Sequence, residues 1–187
     1  MGMLKVVTLV LLLGASAFAQ SSPTYGLGST PSADEIRAWD ISVGPTGAEL
    51  PPGRGTAKEG AQLYVQKGCA GCHGKTGTEG PAPNLVGKAD PKADTWERGR
   101  ILPIRSPFAT TVWDFINRGM PLGREGTLTA DEVYALTAFL LYINDVIPED
   151  QILDAQSLPK VKMPIGNAFA SLPEWKPNTR RLRGYPY

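Results

Sequence analysis

Cys69-Ala70-Gly71-Cys72-His73 is a C-x-x-C-H run, and no other feature constrains the chain as tightly. Thiols at this spacing can each add to one vinyl group of the same porphyrin. The histidine that follows directly is then held beneath the iron, so the run predicts covalent attachment of a c-type haem. Ala70 and Gly71 are small and leave the ring edge uncrowded. Other uses of the pair fit less well. A thioredoxin-like redox pair calls for a βαβ pattern that the flanking residues do not supply. A Cys69–Cys72 disulfide would close a tight, strained loop with little to stabilise. A zinc site needs further Cys or His ligands, and the chain has only these two cysteines and this one histidine.

Counting ligands goes further. With His73 as the single histidine, two imidazoles cannot flank an iron within one chain, and two cysteines set a ceiling of one haem. Met1 and Met3 lie in residues 1–19, which read as a secretory signal. Lys5 supplies the positive start, Val6 to Leu13 the apolar run, and Ala17-Phe18-Ala19 an A-x-A cleavage site. The apolar run is short for a bilayer span, and no later segment reads as one, so no stable membrane insertion is expected. The mature chain is expected in a bacterial periplasm. Met120 and Met163 are left as candidates for the sixth iron position. Loss of Lys5 leaves 18 basic and 18 acidic residues, which argues against a nucleic-acid partner.

Four stretches follow the signal. Residues 20–55 form an arm rich in Gly, Pro, Ser and Thr, with one or two helical turns over 32–39 and with Trp39 and Ile41 as anchors. At Thr56 a capping box with Glu59 opens a helix to about Lys67. Ala61, Tyr64 and Val65 share its packed side with Leu63 beside them, and Gly60 marks a close helix crossing. After His73 comes loop, then Pro81 to Gly87, where the Pro83 carbonyl is the expected acceptor for the second ring N–H of His73. Trp96, Ile101, Leu102 and Ile104 are available as cover for the porphyrin.

A short helix is predicted from Ala109 to Arg118, ended by Gly119 as its C′ glycine. Pro121 biases Met120 to an extended conformation. Thr129 and Glu132 form another capping box, with Leu128 and Val133 as the hydrophobic staple. The helix that follows carries Val133, Leu136, Leu140 and Ile143 on its core stripe, widened by Tyr134, Leu141 and Tyr142, and Pro148 stops it. Residues 149–187 are a proline-rich tail with Ile152, Leu153, Leu158, Val161, Met163, Phe169, Leu172 and Trp175, too apolar to hang free. It either wraps the domain or docks on a partner. Asp114 and Glu125 read as surface carboxylates, and no catalytic constellation stands out.

The order helix, C-x-x-C-H, proline-rich loop, short helix, methionine, long last helix resembles the class I cytochrome c fold, across residues 56–148. That resemblance implies an all-α domain around one covalently bound haem c. It makes Cys69 and Cys72 the thioether sites, His73 the proximal ligand, Met120 the distal ligand and Pro83 part of the loop behind the histidine. Met163 is then a core filler. An iron saturated by His and Met has no vacant position for a substrate, which implies one-electron transfer.

Residues 38–43, 50–56, 107–116, 128–141 and 158–164 carry a narrower likeness. They resemble the cytochrome c subunits of sulfite and sulfur dehydrogenases. The resemblance implies a molybdenum-containing catalytic subunit as electron donor and a downstream cytochrome or oxidase as acceptor. The single attachment motif departs from the two-haem sulfur dehydrogenase subunits and leans the reading to the sulfite type. The competing class is a free soluble shuttle to a terminal oxidase, which would not need an apolar arm and tail. A gas-binding sensor would instead need a labile sixth ligand.

Overall fold

The computed structural model describes residues 25–87 and 101–166. The signal, Trp96, Phe169, Leu172 and Trp175 lie outside them. The chain divides after Asp40 into two compact units. The first contains helix α1 (Ala33–Trp39), begun by a capping box between Ser32 and Glu35. Among the described residues α1 buries none of its side chains. Trp39 at its end is 86% exposed.

The second unit is built on two helices that cross. α2 (Ala57–Gln66) starts at the Thr56–Glu59 capping box, both halves of which form. α6 (Ala130–Tyr142) starts at the Thr129–Glu132 box, with Leu128 and Val133 both buried as the staple requires. Gly60 is where the helices touch. A Cβ there would stand 2.0 Å from the Ala135 carbonyl oxygen and 2.6 Å from the Phe139 Cβ. One turn on, Tyr64 and Phe139 pack ring against ring at 5.3 Å. The crossing buries Ala57, Gly60 and Tyr64. Val65, about 100° round the helix from Tyr64, is 67% exposed and not on the packed side as expected.

α5 (Ala109–Gly119) lays Ala109, Val112, Trp113 and Ile116 on the core at helical spacing, and Trp113 meets Tyr134 of α6 at 5.5 Å. Gly119 is its last helical residue, not a left-handed cap. Met120 caps the helix in extended conformation while its N–H still reaches the Ile116 carbonyl. A proline at 121 is enough to force that stop. α6 is buried nearly all round, and it ends at Tyr142, well short of Pro148. The Leu140 carbonyl, which a continuing helix would use, is instead taken by the Asn144 side chain, and Asp145 turns the chain with a φ of 58°.

Segments outside the two-helix frame form a belt around it. β1 (Arg54–Gly55) pairs antiparallel with β2 (Leu153–Asp154), with Arg54 opposite Asp154 and Gly55 opposite Leu153. Leu50, Ile147, Leu153, Leu158 and Met163 are buried in the same core as the helices. Leu158 begins a 3-10 turn (Leu158–Lys160). The described part of the tail thus wraps its own domain. Val43, not the exposed Ile41, fixes the start of the belt, through a 2.9 Å bond from its N–H to Asp114. Asp114 also pairs with Arg118 and is 8% exposed, so it is a buried clasp and not a surface carboxylate.

Candidate haem-attachment site

α3 (Cys69–His73) is a single helical turn that holds the C-x-x-C-H run. It is set off by glycines that turn the chain where an L side chain would be strained. Gly68 at φ 84° separates it from α2, and Gly74 at φ 82° ends it. Three residues apart on one turn, Cys69 and Cys72 share a helix face. Both are free thiols, Cys69 half-buried and Cys72 exposed. Burial pushes the Cys69 thiol above its usual pKa.

His73 is fixed by the loop that follows. Its Nδ1 lies 2.9 Å from the Pro83 carbonyl oxygen. A carbonyl only accepts, so Nδ1 carries the proton and Nε2 keeps its lone pair for a ligand. The acceptor is the one expected from the sequence. Ala82 N–H donates to the Cys72 carbonyl at 2.9 Å, and Leu85 N–H donates to the Gly77 carbonyl at 2.7 Å, which folds residues 74–87 back over α3. Gly80 lies so close that a Cβ would sit 1.9 Å from the Cys72 oxygen. From the other side, the Tyr64 hydroxyl donates to the Gly74 carbonyl at 2.9 Å.

Met120 is presented from the end of α5 at φ −130° and ψ 151°, partly buried. It packs on the same buried cluster as Cys69, Ala70 and Leu85. The loop after it is tied to the approach to α3, because the Arg124 guanidinium donates to the Lys67 carbonyl at 3.0 Å. Lys67 in turn pairs with Glu132 on the first turn of α6. Met163 lies inside the core at 6% exposure. Of the cover residues, Ile104 is buried in α4 (Leu102–Arg105), while Ile101 and Leu102 are partly exposed.

The donor set fits a covalently attached haem. Two reduced thiols stand on one face, an imidazole presents Nε2 with its other nitrogen already fixed, and a thioether is held by a short extended segment. Three supporting residues escaped the sequence reading: Asn144, whose side chain bonds to Leu85 and Gly87, Asp114 and Arg124. Asn144 had a visible signal. It continues the buried spacing Leu136, Leu140 by one more turn, where a polar residue needs partners.

The family model for cytochrome c matches residues 57–144. No curated protein matches the chain. Among solved structures, a chain in the crystal structure of the sulfane dehydrogenase SoxCD from Paracoccus pantotrophus is 36% identical, with a TM-score of 0.66. The match covers 79% of this chain and 72% of that one.

Proposed function

The chain belongs to the cytochrome c family, and on that premise we propose that it is an exported electron carrier with one covalent haem, acting as the electron-accepting subunit of a molybdenum sulfite or sulfane dehydrogenase. Cys69 and Cys72 would form the thioethers, His73 Nε2 would be the proximal ligand and the Met120 sulfur the distal one. A bound haem supplies a reversible one-electron couple, and His/Met ligation sets its potential above that of a bis-nitrogen site. Pro83 holds the imidazole in one tautomer and one orientation. Burial of Met163 leaves Met120 as the methionine near the surface that can serve.

The observation that carries the subunit reading is the reach of the SoxCD likeness. A family model of the haem domain takes in less than half of the chain, whereas the match to the sulfane dehydrogenase covers 79% of it. It therefore includes sequence beyond the haem domain. A periplasmic destination rests on the Lys5, apolar and Ala17-Phe18-Ala19 pattern. Among the described residues no helix is long and apolar enough to cross a membrane.

The test is purification of the exported protein from its native host under low salt. A chain heavier by one haem that travels with a molybdopterin protein is the expected result. A haem-loaded chain that runs alone and reduces a terminal oxidase directly would make it a free shuttle. A colourless chain of unmodified mass would remove the haem reading itself.

A further inference from the structure

Residues 74–87 contain no helix or strand, so the Pro83 carbonyl can sit only where the tethers of that loop hold it. Two of the tethers, Ala82 to Cys72 and Leu85 to Gly77, lie within the loop and α3. They would move with the loop as a body. Tyr64 of α2 holds Gly74 at the start of the loop, and the tether at the other end, next to Pro83, comes from the far end of α6. Asn144, 8% exposed, donates from Nδ2 to the Leu85 carbonyl and to the Leu140 carbonyl, each at 2.8 Å. Its Oδ1 accepts the Gly87 N–H at 3.1 Å.

One amide thereby pins both ends of Leu85–Gly87 to the last turn of the best-buried helix. The partners fix which way the amide points, since two are carbonyls that can only accept and one is an N–H that can only donate. Aspartate has no donor for the carbonyls, leucine has neither group, and glutamine is a methylene too long. Ile101 packs directly against the same segment, for a Cβ on Gly87 would lie 2.0 Å from the Ile101 Cδ1. Pro81 and Pro83 stiffen the backbone leading in, so a shift at Leu85 is passed to the Pro83 carbonyl and not absorbed before it.

We propose that Asn144 is a positioning residue for the His73 imidazole: by clamping Leu85–Gly87 to α6 it sets the His73–Pro83 hydrogen bond and, through that bond, how strongly His73 donates to iron. The proposal rests on His73 being the proximal ligand. A well-made Nδ1–H bond makes the ring a more basic ligand and favours ferric iron. Loosening it raises the reduction potential.

The test uses the full haem-loaded chain with Asn144→Asp, Asn144→Leu and a control, Leu153→Ala, which empties a buried site in β2 away from the loop. Both Asn144 variants should keep the haem mass on Cys69 and Cys72. Their potentials should shift upward. In the reduced protein the His73 Nδ1 proton, followed by NMR, should exchange with solvent about tenfold faster. The control should unfold at lower denaturant with both readings unchanged. Asn144 variants that lose stability while the potential and the exchange rate stay put would overturn the proposal, as would a control that moves both. Should the variants fail to mature, the unaltered protein still decides. Its Asn144 side-chain amide protons must exchange as slowly as the His73 Nδ1 proton, and a fast-exchanging amide refutes the clamp. Absence of the haem mass from the unaltered chain would instead be a failure of the haem assignment.

Discussion

Met120 and Met163 are both followed by proline, and local sequence does not separate them. Burial does. Met163 sits in the core with Leu153 and Leu158, while Met120 is half-buried at the end of α5. Met120→Ala should abolish the weak near-red band of a methionine–Fe(III) bond and let the reduced protein bind carbon monoxide. Met163→Ala should keep the band and cost about 3 kcal/mol in denaturant unfolding, as emptied core sites do. A lost band in the second variant would exchange their roles. The residues that escaped the sequence reading share a cause. Asp114 bonds to Val43 across 71 positions and Asn144 to Leu85 across 59, so no window of neighbouring residues reveals either partner, although the spacing from Leu136 and Leu140 marks Asn144 itself as buried. The His73–Pro83 contact was legible because it closes within a short stretch of chain beside the two thiols.

Whole elements were read best where they begin. The capping boxes at Thr56 and Thr129 are closed by side chains three residues on, and both helices start where those boxes place them. Their ends were read worse. Pro148 is a sufficient stop for α6, but the Asn144 side chain and the left-handed Asp145 act sooner. β1 and β2 have two residues each and no pattern to betray them, since their pairing depends on the domain that brings them together. Gly60 offers the sharpest element-scale test. With the Ala135 carbonyl 2.0 Å from where a Cβ would stand, Gly60→Ala must push α2 away from α6, although alanine is the better helix former. The expected loss is about 3 kcal/mol in denaturant unfolding of the haem-loaded protein, near the upper end for overpacking. A variant as stable as the parent would mean that the crossing is looser than this geometry.

At the scale of the whole molecule, two tyrosines hold the belt and the site to the helical frame, and both do so as donors. The Tyr134 hydroxyl donates to the Pro51 carbonyl at 3.0 Å, and the Tyr64 hydroxyl donates to the Gly74 carbonyl at 2.9 Å. An ionised phenol has no proton to give. Burial, with Asp154 adding to it, pushes the Tyr134 hydroxyl up to about 12. Burial, then the Cys69 thiol and Glu79, does the same for Tyr64. The unfolded chain releases these protons near the ordinary value of about 10. The folded state therefore binds more protons than the unfolded state between pH 10 and 12, and stability must fall as pH rises through that window. Below pH 10 both states are protonated and the contribution is complete. Unfolding free energy measured by circular dichroism should decline between pH 10 and 12 with a slope that Tyr64→Phe and Tyr134→Phe each reduce. The two variants also part in a second reading. Tyr64→Phe frees the Gly74 carbonyl at the end of α3 and should disturb the haem spectrum, whereas Tyr134→Phe frees Pro51 in the belt and should leave it alone. Equal alkaline slopes in parent and double variant would show that other groups set the limit.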